Sequence, residues 1–246
     1  MSDLPLTVMP VRLFAPIGYY MALAQQQRVV VDTAMPFDKR AKAVHRYDIV
    51  DTQGRCQLTV PINRPHSGSP TDRPLWTDAA VSRHGQWWRL HRTALESAYG
   101  RTPFFEYLID RFDTVLCDPA DPAAAPNVVE LARRADALIR PLLLLDTPVE
   151  WRPLTTQEAT AIAAEPTAVA TAEPDIAAKS VAAAIAKPVA AAADLRRADF
   201  TLTAPQPYWQ VRQSKLGFQP NLSILDALFN LGPEAALLLP HRLHLR

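Results

Sequence analysis

The first candidate set of chemically active side chains consists of four residues that recur at helical spacing. They are Trp88, His91, Leu95 and Tyr99. Intervals of three and four residues place them on one face of a helix. Histidine titrates near neutral pH and serves as a general acid or base, so His91 is a candidate catalytic residue. The alternative is a core histidine whose ring nitrogens bond to the backbone or to a hydroxyl group.

A second set combines one carboxylate with basic residues. Asp32 ends a short apolar run, and Lys39 and Arg46 follow it within fifteen residues. A lysine and an arginine beside a carboxylate can bind and order a phosphate or carboxylate group. The alternative is a solvated basic loop with no ligand.

A third set lies near the end of the chain. Asn221, Ser223 and Asp226 precede an apolar helical pattern, and the spacing of Ser223 and Asp226 resembles a capping box. The same helix N-terminus would offer free N–H groups to an anion. We place capping ahead of catalysis for Ser223 and keep Asn221 and Asp226 as candidate pocket residues.

The composition of the chain excludes several classes of protein. Of 246 residues, 48% are hydrophobic and 21% charged, and the net charge is +1. This composition is typical of a globular protein, and the small charge argues against a nucleic-acid partner. No apolar run is long enough for a transmembrane segment, and the first residues lack the pattern of a signal peptide. With two cysteines and no disulfide framework, the sequence predicts a cytoplasmic protein.

Common nucleotide and metal motifs are missing as well. The seven glycines include none between Gly100 and Gly217, so no Gly-rich phosphate or dinucleotide loop is present. There is no His-Glu-x-x-His, Cys-x-x-Cys or Gly-x-Ser-x-Gly. We therefore expect no metal site, and no motif selects a cofactor.

The elements that must position these residues alternate between strands and helices. Strands are predicted at 6–14, 28–32, 45–51, 55–61, 198–202 and 208–211, and helices at 17–27, 85–99, 104–116, 127–145 and 222–231. Because strands come early and late, the last ones should complete a sheet begun near the N-terminus. The predicted fold is α/β, or mixed α+β, with a mixed sheet flanked by helices in a single domain.

An alanine-rich stretch divides this domain. Between Ala159 and Ala193, 17 of 35 residues are alanine, and three prolines limit any helix. We predict a flexible Ala/Pro-rich insertion over residues 151–197, between an N-terminal part at 1–150 and a C-terminal part at 198–246. The segment from about Thr155 to Asp194 is expected to be dispensable for folding.

Two dense blocks carry a resemblance to a known family. They are residues 85–105, with Trp88, His91, Tyr99, Pro103 and Phe105, and residues 208–232, with Pro220-Asn-Leu-Ser-Ile-Leu-Asp226. Together they resemble the WbqC-like family, bacterial proteins often encoded with surface-polysaccharide functions. Asp32, Phe37, Lys39 and Arg46 also fit its pattern after a one-residue shift, with His45 in place of an asparagine. The resemblance spans roughly residues 10–120 and 199–240.

The resemblance implies a role in surface-glycan or O-antigen assembly. It implies a transferase that modifies an amino sugar with an acyl or aminoacyl group, bound to a small-molecule partner such as a nucleotide sugar or an acyl donor. His91, Asp32 or Asp226 would be the catalytic base. Lys39, Arg46, Tyr99 and Asn221 would bind the substrate. The competing expectation is a non-catalytic binding or scaffold protein in which the same residues are caps and core.

Overall fold

A parallel sheet of four strands forms the centre of the molecule. The computed structural model describes residues 5–65, 73–121, 123–164, 193–203 and 205–239. The strands are β1 (Leu6–Met9), β2 (Arg28–Asp32), β5 (Val149–Arg152) and β6 (Ala193–Asp194), in the order β5-β2-β1-β6. In register, Val8 pairs with Val30 on one side and with Asp194 on the other. All three strand pairs are parallel.

The apolar run of β2 is explained by burial on both faces of the sheet. Successive side chains of a strand point to opposite faces. Val29 and Val31 belong to the main core, whereas Val30 packs with Val8 and Ile162 on the other face. A nearly continuous run of β-branched residues is typical of such a doubly covered parallel strand.

Helices cover the sheet and build the main core beside it. They are α1 (Ile17–Ala24), α2 (Trp87–Tyr99), α3 (Phe105–Asp113), α4 (Val128–Leu142), α5 (Thr156–Ala164), α6 (Gln213–Leu216) and α7 (Ile224–Leu231). The ring of Phe229 in α7 lies 5.3 Å from that of Tyr99 in α2 and 5.9 Å from that of Phe112 in α3. These contacts join the C-terminal helix α7 to α2 and α3. None of the helices within the described ranges has the length and apolarity needed to span a bilayer.

A separate antiparallel hairpin lies beside the main sheet. It consists of β3 (Arg46–Val50) and β4 (Arg55–Thr59), and Gly54 in the turn has φ 121°. The buried Tyr47 and Ile49 alternate with outward-facing polar residues. The Ser223 N–H donates to the Asp48 carbonyl at 2.8 Å, so the hairpin is fixed to the start of α7.

The α/β class is confirmed, with parallel and antiparallel strands in two separate sheets. The strand predictions at 198–202 and 208–211 are wrong. The late strand is β6, at Ala193–Asp194, and it does pair with β1. In the second segment the Val211 N–H donates to the Asn230 side chain at 2.9 Å. At this position a side-chain acceptor takes the place of the backbone acceptor that a neighbouring strand would provide.

The edges of the predicted insertion belong to the folded body. Trp151 and Arg152 are part of β5, and Ala193 and Asp194 form β6. Between them, α5 places Ile162 against the sheet with only 6% of its surface exposed. The remainder of the predicted flexible insertion, residues 165–192, lies outside the described residues.

Candidate functional site

A cleft of about 800 Å³ opens beyond the carboxyl end of β1. Met35 and five segments line it: residues 10–16 after β1, residues 40–48, the outer face of the hairpin, residues 196–201 after β6, and residues 219–223 before α7. Gly18 in α1 allows one of these segments to approach closely, because a Cβ there would lie 2.2 Å from the Phe200 carbonyl oxygen.

The strand order explains the position of the cleft. From β1 the chain proceeds to β2 on one side, whereas β6 lies on the other side. In open parallel sheets, ligands bind outside the carboxyl ends of the strands where the direction of winding changes. The carboxyl ends of β1 and β6 meet that condition here.

Most of the charged side chains that line the cleft are basic. Of the described lining residues, the basic ones are Arg12, Arg40, Lys42, Arg46, Arg55 and Arg196, and the acidic ones are Asp48 and Asp199. The whole chain has a net charge of only +1. Positive charge is therefore concentrated at this site, which favours an anionic ligand.

Arg12 forms the floor of the cleft and is mostly buried. Its Nη2 donates to the Ala198 carbonyl at 3.1 Å, and its guanidinium lies 5.3 Å from the centre of the Phe200 ring. Burial lowers the pKa of Arg12, while the nearby Tyr19 and Asp199 raise it. An arginine remains charged under these conditions, so Arg12 supplies a fixed cation.

Arg196 and Asp32 form an ion pair at the edge of the cleft. Arg196 Nη1 donates to Asp32 Oδ2 at 2.9 Å, and Nη2 donates to Asp194 at 2.8 Å. The other Asp32 oxygen accepts from the Ala34 N–H at 3.0 Å. Asp32, predicted as a base, is thus held by protein donors on both oxygens. Through its contact with Arg196, Asp32 fixes the segment after β6 in place.

The outer face of the hairpin is a ladder of polar contacts. Arg46 Nη1 donates to the Gln57 oxygen at 3.3 Å, and Gln57 Nε2 donates to Asp48 at 3.0 Å. Arg55 lies 3.8 Å from the same carboxylate and also donates to the Pro220 carbonyl. The ladder thereby connects the hairpin to the loop before α7.

Two predicted binding residues, Arg46 and Asn221, are brought together in the cleft, but Lys39 is exposed and does not line it. The Asn221 side chain accepts from the Leu202 N–H at 2.8 Å and donates to the Leu202 carbonyl at 3.0 Å. Asn221 has a left-handed backbone with φ 56°. Its side chain therefore shapes the wall of the cleft.

The helix N-terminus predicted as an anion site is already occupied by protein acceptors. Ser223 caps α7, since its Oγ accepts from the Leu225 N–H at 3.3 Å. The Ile224 N–H donates to the Ala15 carbonyl, and the Asp226 N–H donates to the Ser223 carbonyl. The capping prediction for Ser223 is confirmed. Anion binding in the cleft must use side chains instead.

His91 lies in the core, behind the cleft. Its Nε2 is 3.2 Å from the Thr59 carbonyl, and its Nδ1 is 2.9 Å from the Tyr47 hydroxyl. A carbonyl only accepts, so Nε2 carries the proton and Nδ1 accepts from Tyr47. Burial lowers the pKa of His91 to about 4. With 3% exposure and both nitrogens engaged, the histidine is neutral and touches the cleft only through Tyr47.

Asp226 and Tyr99 lie deeper still, under α7. The Asp226 carboxyl is fully buried and accepts from the Tyr208 hydroxyl at 2.6 Å and from Gln210 Nε2 at 2.8 Å. Burial raises the pKa of Asp226. The Tyr99 hydroxyl accepts from the Val50 N–H at 3.2 Å. Both residues hold the C-terminal segment against the core, and both lie outside the cleft.

Most cleft residues were not predicted, because they lie in separate segments of the chain and form no local sequence pattern. Arg12 lies three residues after the end of β1 and Arg196 two residues after the end of β6, and a basic residue shortly beyond a parallel strand was the available signal. Among the described residues, no group of three or more His, Cys, Asp or Glu side chains is placed to hold a metal ion.

One of three comparisons with known proteins gave a match. A sequence model described as the WbqC-like protein family matches residues 12–237. Searches of the curated proteins and of the solved structures found no match.

Proposed function

The chain belongs to the WbqC-like protein family, and from this membership and the basic cleft we propose a cytoplasmic bacterial transferase of surface-polysaccharide or O-antigen biosynthesis. Its reaction is the transfer of an acyl or aminoacyl group to an amino sugar. The ligands are small anionic molecules such as a nucleotide sugar or an acyl donor.

The concentration of six basic side chains in one cleft carries this proposal. The volume of about 800 Å³ lies within the range of about 300–1,000 Å³ that is usual for small-molecule sites. Activated sugars and acyl donors are commonly anionic. A positive, partly enclosed cleft attracts them and holds them in place.

The reaction requires one proton acceptor and a means of stabilising negative charge. The amine nitrogen of the sugar forms a bond to the acyl carbon, the bond from that carbon to its leaving group breaks, and the amine loses a proton. Asp199 is the proposed acceptor. Its Oδ1 binds the Thr201 hydroxyl at 2.8 Å, whereas its Oδ2 has no hydrogen-bond partner in the described part of the chain. Arg12 lies beside it and would stabilise the developing oxyanion.

The test is transfer by the purified protein. A nucleotide-linked amino sugar and an acyl-coenzyme A are incubated with it, and products are followed by mass spectrometry. We expect a sugar heavier by one acyl group together with an equal amount of free coenzyme A. Asp199→Asn should lose transfer while it still binds the sugar nucleotide, and Arg111→Gln, at an exposed site on α3, should retain both.

The alternative, a non-catalytic binding protein, is supported by one observation. His91 and Asp32 direct their polar side-chain atoms to protein partners, and Oδ2 of Asp226 accepts two hydrogen bonds from protein side chains in the core. A protein that binds the sugar nucleotide but forms no product with any acyl or aminoacyl donor would favour this alternative.

A further inference from the structure

We infer that the cleft recognises a diphosphate group, through a subsite formed by Arg46 with Lys42 and Arg40. This inference deepens the proposed function and rests on it only for the identity of the molecule that carries the diphosphate. The recognition itself is carried by the charges of these three residues and by the unpaired donors of Arg46.

The six cations of the cleft differ in how far protein carboxylates neutralise them. Arg196 binds both Asp32 and Asp194, and Arg55 lies 3.8 Å from Asp48. In contrast, the charged groups of Arg40, Lys42 and Arg46 have no carboxylate oxygen within 4 Å among the described residues. Across the described ranges Arg12 has no carboxylate within 4 Å either, but Asp199 lies near enough to raise its pKa. The remaining uncompensated positive charge lies on one side of the cleft, between residue 40 and the start of β3.

Arg46 has a buried donor without an acceptor. Its Nη1 donates to the neutral Gln57, but its Nε is inaccessible to solvent and has no hydrogen-bond partner in the described part of the chain. A buried donor that is left unpaired destabilises the structure. Arg46 Nη2 has no hydrogen-bond partner among the described residues either, and this donor is left for an oxygen of a ligand bound in the cleft that Arg46 lines.

The neighbouring cations are placed to complete the subsite. Lys42 begins a short 3-10 turn, Lys42–Val44, that leads directly into β3, and its exposed side chain lines the cleft with that of Arg40. The Leu13 N–H donates to the Ala43 carbonyl at 3.4 Å, which holds this turn against the segment after β1. Two exposed cations thus line the same cleft as the Arg46 guanidinium.

Three uncompensated cations match a diphosphate better than a single carboxylate. A lone carboxylate is satisfied by one bidentate arginine. A diphosphate carries more charge and more acceptor oxygens, and combines well with one planar guanidinium and additional point charges. Nucleotide-linked sugars and coenzyme A thioesters both contain this group, so the experiment must separate the two sources.

Calorimetric titration of the full-length chain tests the subsite. The probes are inorganic pyrophosphate, uridine diphosphate N-acetylglucosamine, coenzyme A and free N-acetylglucosamine. We expect pyrophosphate and one of the two larger diphosphates to bind, with the free sugar much weaker. The larger compound that binds identifies the source of the diphosphate.

The variants are Arg46→Gln, Lys42→Gln and the matched control Arg111→Gln. Loss of a hydrogen bond to a charged group should weaken diphosphate binding by about 10- to 100-fold in Arg46→Gln. A smaller loss is expected in Lys42→Gln, whose exposed site leaves the fold intact. The Arg111→Gln control should bind as the wild type does.

Two results would overturn the subsite. One is wild-type protein that binds none of the diphosphates; the other is diphosphate binding that is unchanged in both Arg46→Gln and Lys42→Gln. Pyrophosphate binding that depends on Arg46, without any transfer product, would support the subsite while rejecting the transferase.

Discussion

At the scale of single residues, His91 is important because it stays neutral at pH values at which a free histidine would become protonated. The Tyr47 hydroxyl and the Thr59 carbonyl hold its two nitrogens, and burial lowers its pKa to about 4. An unfolded histidine has a pKa of about 6.5. The folded state therefore binds fewer protons than the unfolded state between these values, and the contribution of His91 to stability is lost as the pH falls from 6.5 to 4.

His91→Gln should change both the stability and its dependence on pH. At pH 7.5 the variant should be less stable by about 1–3 kcal/mol, because glutamine does not reproduce both hydrogen bonds. Between pH 7.5 and pH 5 the difference should shrink by about 2 kcal/mol, because only the wild type loses the His91 contribution. Urea unfolding at the two pH values measures this.

The exposed His84→Gln is the matched control for that experiment. A constant difference between wild type and His91→Gln at both pH values would contradict the neutral, buried state. Loss of transfer at unchanged stability would instead support His91 as the catalytic base.

At the scale of elements, α5 belongs to the folded body of the protein although it lies within the predicted insertion. Ile162 packs on Leu6, Val8 and Val30, and Arg152 in β5 binds Glu158 in α5 at 2.7 Å. The helix therefore covers the second face of the sheet, which would otherwise expose valines to water. Removing Thr155 to Asp194 would take away α5 and β6, so the expected dispensability does not extend to these two elements.

Ile162→Ala should lower the free energy of unfolding by about 2–4 kcal/mol, because it leaves a cavity over the sheet. Leu90→Ala, at a side chain that is 63% exposed on α2, should change it by about 0.5 kcal/mol or less. Chemical denaturation of both variants gives the comparison. An Ile162→Ala protein as stable as the wild type would mean that α5 contributes little to the fold.

At the scale of the whole molecule, the two parts of the chain complete one core. The Phe229 ring lies 5.1 Å from that of Phe105, and the Ser223 N–H and Ile224 N–H donate to carbonyls of β3 and of the segment after β1. Apolar side chains of α7 are thus buried by residues that precede the alanine-rich stretch. We propose that residues 1–150 and 198–246 form a single domain.

A fragment of residues 198–246 should therefore remain unfolded when it is expressed alone. It lacks the partners of Phe229 and contains none of the four strands of the parallel sheet. Circular dichroism should show no cooperative thermal transition. A fragment that melts cooperatively would demonstrate two independent domains.

The sequence by itself determined the elements whose patterns are local. The three- and four-residue spacing from Trp88 to Tyr99 predicted the buried face of α2, and Ser223 was correctly predicted to cap α7. Valines in succession identified β2, and alternation about Gly54 identified the hairpin. These features depend on residues within one or two turns of each other, so propensity and periodicity suffice to predict them.

Only the tertiary structure decided where the site is. Arg12 and Arg196 come from opposite ends of the chain and share a cleft because β6 pairs with β1. A late strand was expected in the sheet, but a strand of two residues has no periodicity to detect, so neither the position of β6 nor the cleft beyond it could be predicted. Likewise, the environment of His91 depends on Tyr47 and Thr59, which the hairpin carries to α2. The charge and protonation of a side chain follow from its neighbours in space, and long-range packing selects those neighbours.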